Sequence, residues 1–189
     1  MTKIIIESSA RHVHLSQHDL EKLFGVNYKL NKLRDLSQPG EFAAQETLAI
    51  KTPKNKLEKI RVVSPLRPQT QVEISKTDAL ILGLNPPVRN SGDLANSDPC
   101  ILVGPVGEIS LSQGVILAQR HIHVNSKFLA QNGLSEKESV SVKVDGERGL
   151  VFNNVYLKSD EKFMPVFHID TDEANAAGIN KTGEGEIIV

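Results

Sequence analysis

Arg11-His12-Val13-His14-Leu15-Ser16 recurs further along the chain as Arg120-His121-Ile122-His123-Val124-Asn125. Self-similarity of this kind implies two related structural units. After each copy a polar residue, Ser16 or Asn125, precedes an amphipathic stretch that stops at a glycine. The stretches run from Gln17 to Phe24 before Gly25, and from Ser126 to Asn132 before Gly133. These are the capping preferences of short helices. A second pair of segments also matches. Val72-Glu73-Ile74-Ser75-Lys76-Thr77-Asp78-Ala79 lies over Phe167-His168-Ile169-Asp170-Thr171-Asp172-Glu173-Ala174, and Gly83 and Gly178 follow. Each reads as a strand ending at position 74 or 169, then a capped short helix. The chain is therefore expected to comprise two related halves, 1–95 and 96–189, each strand-rich with short helices at its connections.

Leu57 to Val63, Pro99 to Val103, Gly114 to Ala118, Glu138 to Val144 and Gly149 to Leu157 are rich in Val, Ile and Leu with partial alternation, so they are expected to be strands. Asp145-Gly146 between two of them predicts a hairpin. Short strands at this spacing argue for a mainly β fold of small barrels rather than a doubly wound sheet. Aromatic residues are 4% of the chain and tryptophan is absent, so the core must be aliphatic.

Five of the six histidines fall inside the repeated motifs. In a strand, residues i and i+2 share a face. His12 and His14 therefore project together, as do His121 and His123, and two imidazoles on one face form a ready metal chelate. The matching segments supply a third donor to each half, Glu73 in the first and His168 in the second. The expected sets are His-His-Glu and His-His-His. Three protein donors leave positions open for substrate or water, and imidazole with carboxylate suits zinc first, with iron, manganese and cobalt as alternatives. A lone His-x-His would carry little weight. Its duplication with third donors at matching places carries much more. The sixth histidine, His18, falls in a helix and is expected at the surface.

Arg11 and Arg120 point away from the histidines by alternation and read as structural ion-pair residues. Asp170, Asp172 and Glu173 read as first-turn acids favoured by the helix dipole. Arg67 lies six residues before Glu73 in a loop stiffened by Pro65 and Pro68, which suits an oxyanion or phosphate. Val88-Arg89-Asn90-Ser91-Gly92-Asp93 reads equally as an anion-binding loop through Arg89 or as a plain surface turn. The single cysteine, Cys100, sits in an apolar run and reads as a core residue, and no Gly-x-Ser-x-Gly elbow exists. Covalent acyl-enzyme chemistry is not expected. The net charge of −1 gives no reason to expect nucleic acid or a membrane surface. One cysteine cannot form an internal disulfide, and no signal-peptide core is evident, so a cytoplasmic protein is expected.

Taken in order, Ser9 to Ser16, Leu66 to Glu73, Pro87 to Asp93, Gln119 to His123 and Phe167 to Asn175 resemble the PduL-type phosphate acyltransferases, the phosphate propanoyltransferase or phosphotransacylase family. The resemblance covers nearly the whole chain. It implies two small β-barrel halves capped by short α-helices, two zinc ions, and a homodimer. It also implies reversible exchange between acyl-CoA plus inorganic phosphate and acyl-phosphate plus CoA, with an acetyl or propanoyl group. Carried over by motif, His12, His14 and Glu73 would hold the metal facing the CoA sulfur. His121, His123 and His168 would hold the second metal, and Arg67 would contact phosphate, with Arg89 a further candidate for substrate binding. Members of the family destined for microcompartments carry an N-terminal helical extension. Here the first motif begins at His12, so a free cytoplasmic enzyme is expected. Three rivals stand beside this reading. A cupin-like metalloenzyme would place a glutamate a few residues after the second histidine, and Leu15 to Asp19 supply none. The others are a metal-dependent thioesterase and a non-catalytic metal-binding module.

Overall fold

A computed structural model describes residues 2–136 and 139–188. In chain order the elements are β1 (Thr2–Ser9), β2 (His12–His14), α1 (Gln17–Phe24), β3 (Lys32–Asp35), β4 (Phe42–Lys51), β5 (Lys56–Ser64), β6 (Gln71–Glu73), α2 (Lys76–Leu82) and β7 (Val88–Arg89). There follow β8 (Asp98–Val103), β9 (Glu108–Ala118), β10 (His121–Val124), α3 (Ser126–Asn132), β11 (Ser139–Val144), β12 (Leu150–Ser159), β13 (Val166–Asp170), α4 (Thr171–Ala176) and β14 (Thr182–Ile188). The fold is mainly β, as expected, with four short helices among the described residues. Glu138, expected to start a strand, lies outside the described residues.

The helices form where capping chemistry allows. Ser16 accepts from the Asp19 amide and Asn125 from the Phe128 amide, each satisfying an orphan donor of the first turn. The α2 and α4 N-termini carry capping boxes, Ser75 with Asp78 and Asp170 with Glu173. Gly83 and Gly133 end their helices in the left-handed conformation.

The strands form two closed six-stranded barrels. One runs β2-β5-β4-β8-β9-β6 and back to β2, with β3 and β7 as additional strands at its margins. The other runs β10-β12-β11-β14-β1-β13 and back to β10. Taken in that order the circuits match in direction at every step. The first step is parallel in both, β2 to β5 and β10 to β12. So is the fifth, β9 to β6 and β1 to β13. All other steps are antiparallel. Closure leaves no open edge within either circuit.

The compact units differ from the halves expected at 1–95 and 96–189. One unit is residues 11–36 with 40–118. The other is the segment up to Ala10, residues 37–39, and the chain from Gln119 onward. The reason is a reciprocal exchange. β1, immediately before the first His-x-His, closes the barrel of the second, and β9, immediately before the second, closes the barrel of the first. Internal similarity identifies related segments, but strand pairing decides which unit each one completes.

Each barrel has its own aliphatic core. One gathers Val13, Leu48, Ile60, Val72, Leu102 and Val115, among others. The second gathers Ile6, Ile122, Val142, Leu157, Phe167 and Ile169. Burying a side chain of this size contributes about 1.5–3 kcal/mol. Cys100 belongs to the first core, as expected, and burial pushes its thiol up to about 12. No helix among the described residues is long and apolar enough to cross a membrane.

Candidate metal centre

Val13 and Val72 point into the core of the first barrel, so alternation turns His12, His14 and Glu73 to its outer wall. β2 and β6 run antiparallel with His12 directly opposite Glu73 and His14 opposite Gln71. This register brings together residues far apart in sequence. The ligand atoms of His12, His14 and Glu73 all lie within 4.8 Å of one another, which suits one metal ion. His12 Nε2 is 3.5 Å from Glu73 Oε2. The two imidazole centroids lie 5.2 Å apart.

The surrounding groups orient these donors. Arg67 Nη2 lies 2.9 Å from His14 Nε2, and the Pro65 carbonyl lies 3.4 Å from His14 Nδ1. A guanidinium only donates, so Nε2 accepts and the His14 proton belongs on Nδ1. That leaves Nε2 as the lone pair a metal would take. Arg67 is itself anchored, its backbone amide donating to the Leu15 carbonyl. Its Nη1 donates to Ser91 Oγ at 2.6 Å, and Ser91 donates to Glu73 Oε1 at 2.9 Å. Gln71 also donates to that oxygen through Nε2, while its Oε1 accepts from the Gly92 amide at 2.7 Å. With Oε1 so engaged, Oε2 is the oxygen turned toward His12. This is the second layer of bonds that fixes ligand orientation in metal sites.

Burial and neighbouring charge set the protonation states. Burial, then His12 and Arg67, bring the His14 pKa down to about 3. Burial works to raise that of Glu73, but His12, His14, Arg67 and the Ser91 hydrogen bond outweigh it and hold the carboxyl well below its usual range. Neutral imidazole beside carboxylate is the state a cation requires.

The second barrel repeats the register, but among the described residues only His12, His14 and Glu73 have ligand atoms that converge within 4.8 Å. Ile122, Val124, Phe167 and Ile169 face its core, leaving His121, His123 and His168 on the outer wall. His121 stands opposite His168, the counterpart of His12 opposite Glu73. The ring centroids lie 4.7 Å apart for His121 and His123, 4.8 Å for His123 and His168, and 5.4 Å for His121 and His168. The Gln119 carbonyl lies 2.8 Å from His121 Nδ1. Among the described residues His123 Nδ1 is buried with no hydrogen-bond partner, a lone pair that an ion would satisfy. Burial, then His121 and His168, bring the His123 pKa down to about 2.

Other candidates fall where alternation and capping put them. Arg11 pairs with Asp78 at 2.6 Å and Arg120 with Glu173 at 2.8 Å, so the arginine before each His-x-His holds the capping acid of the helix after each third donor. His18 is exposed. Arg89, a candidate for substrate, is engaged with its own loop. It donates to the carbonyls of Ala95 and Val88 and lies 3.7 Å from Asp93. Gln71 and Ser91 received no role from the sequence. Gln71 could have been found two residues before Glu73 on the same strand face, but nothing local marks Ser91.

Two barrels of one topology, each with a His-x-His pair on its outer wall and Glu73 or His168 on the neighbouring strand, define a duplicated β-barrel protein. A model of the phosphate propanoyltransferase family matches residues 5–180. A phosphate propanoyltransferase of Thermotoga maritima is 49% identical over 187 residues, covering 98% of this chain and 89% of the relative. One of Priestia megaterium is 48% identical over 95% of this chain and 82% of the relative. One of Listeria monocytogenes is 41% identical over 99% and 88%. The chain belongs to the phosphate propanoyltransferase family, and is an acyltransferase.

Proposed function

We propose that this chain moves a short acyl group, acetyl or propanoyl, reversibly between coenzyme A and inorganic phosphate. A phosphate oxygen attacks the thioester carbonyl carbon, the carbon–sulfur bond breaks, CoA leaves as thiolate, and acyl-phosphate is the product. Family membership supports the reaction class. The observation that carries the rest is Arg67 beside His14, within a His12, His14 and Glu73 set whose ligand atoms converge within 4.8 Å.

In this reading His12, His14 and Glu73 hold one ion and His121, His123 and His168 hold a second, with zinc the best match to the donors. Zinc would supply a Lewis acid and a partner for a thiolate sulfur. Arg67 receives phosphate, since a planar guanidinium matches two phosphate oxygens at once. Ser91 and Gln71 keep Glu73 and Arg67 from drifting. Arg89 contributes by ordering the loop that carries Ser91. Holding two reactants in attack geometry can supply roughly 7–11 kcal/mol of the barrier. A cytoplasmic setting is part of this reading, since a single cysteine gives an oxidising compartment no support. The homodimer implied by family resemblance is checked by light scattering.

The test is CoA release from acetyl-CoA and propanoyl-CoA by zinc-loaded protein, with and without phosphate. Release that needs phosphate and yields acyl-phosphate is the expected result. Release without phosphate would make the protein a thioesterase, and no release would leave a metal-binding module.

A further inference from the structure

His123 packs its ring 4.3 Å from that of Phe163, centroid to centroid. Among the described residues nothing hydrogen-bonds its Nδ1, so packing orients the ring. Phe163 lies in the connection between β12 and β13, outside regular structure. Phe163 is the nearest of the rings around His123, ahead of His121 at 4.7 Å and His168 at 4.8 Å, so what fixes Phe163 helps to fix His123.

That connection is held at successive backbone groups. The Asp160 amide donates to the Val124 carbonyl, the Phe163 amide to the Asp160 carbonyl, and Asn125 Nδ2 to the Phe163 carbonyl at 2.9 Å. The next residue is held by Gln38. Its Nε2 donates to the Met164 carbonyl at 3.0 Å and its Oε1 accepts from the Met164 amide at 3.0 Å. A side-chain amide thus pairs with a backbone amide as one strand residue pairs with another. Gln38 is 2% exposed and comes from the short segment, residues 37–39, that packs with the second barrel's unit rather than with its sequence neighbours. Buried amides are retained where both ends find partners, as here.

We propose that Gln38 is a positioning residue for the His121, His123 and His168 site, acting through Met164 and Phe163 on the His123 ring. The inference rests on the reading that these histidines hold a metal. It assigns a role in that site to a residue over eighty positions from the nearest of its histidines. Only an amide supplies both a donor and an acceptor of the right reach. Methionine keeps the volume and loses both bonds. Glutamate keeps the shape but presents an acceptor to the Met164 carbonyl.

The experiment measures zinc affinity by chelator competition in the full-length Glu73→Ala protein, where the first site is disabled. Adding Gln38→Met should weaken zinc binding about tenfold or more, the usual size of an outer-layer effect on metal affinity. If Gln38→Met does not fold, Gln38→Glu is the variant read, with the same expected loss. In a Phe163→Ala background the Gln38 substitution should add nothing, because the route is already broken. A general loss of stability would lower the metal-free melting temperature without producing that dependence on Phe163. Unchanged affinity, or an equal loss with and without Phe163, would overturn the proposal. Failure of Glu73→Ala to take up any zinc would instead overturn the second metal site, and the proposal with it.

Discussion

Arg67 Nη2 lies 2.9 Å from His14 Nε2, so the guanidinium shares a nitrogen with the candidate metal set. If His12, His14 and Glu73 hold an ion, His14 Nε2 would be its donor, and the Arg67 guanidinium would be left to bind an anionic substrate. Arg67→Ala should therefore lower kcat/KM for acyl-phosphate formation by about 10²–10³, the size expected when a preorganised charge donor is removed. Metal content should not fall. Steady-state kinetics with parallel metal analysis checks both, and full activity in the variant would remove Arg67 from the mechanism.

Ser91 bridges Arg67 and Glu73 through one hydroxyl. Ser91→Ala leaves Glu73 Oε1 with Gln71 alone. Zinc affinity at the first site should fall by about 10–100-fold. Chelator competition in a His121→Ala background, where only the first site remains, isolates the effect.

His14 and His123 are neutral in the folded protein far below the ordinary histidine pKa of 6.5, down to about 3 and about 2. The unfolded chain takes up protons at both as pH falls through 6.5, while the folded chain does not. Stability of the metal-free protein should therefore decline with acid, by about 1.4 kcal/mol per pH unit for each imidazole below that point. Glu73, held low in the fold, acts in the same direction once pH falls below its unfolded value. Urea unfolding between pH 7.5 and 5 checks the sign, and a midpoint that rises on acidification would refute it.

Arg11 and Asp78 join β2 to the start of α2, with Asp78 buried and the Arg11 side chain 40% exposed. Arg11→Ala strips one partner from a buried carboxylate that keeps its capping-box bonds. The cost should be about 1–3 kcal/mol, and less than that of an ion pair with both partners buried. Chemical denaturation measures it. Zinc affinity at the first site should change little, since Arg11 touches no metal donor.

The sequence by itself determined the chemistry-bearing elements. His-x-His fixes two imidazoles on one face wherever it falls in a strand, and its duplication pointed to Glu73 and His168 as third donors. The cap residues Ser16 and Asn125 set the starts of α1 and α3 because capping is a local hydrogen bond. Arg11 and Arg120 were legible as ion-pair residues by alternation alone. Only the tertiary structure decided the partners. The N-terminal strand and β9 each complete the other repeat's barrel, since backbone pairing is blind to side-chain similarity. Ser91 reaches Glu73, Arg89 turns into its own loop, and Gln38 reaches Met164 because closed barrels bring distant segments into hydrogen-bonding range. Periodicity and capping are properties of neighbours in the chain. Register, exchange and second-layer bonds are properties of neighbours in space.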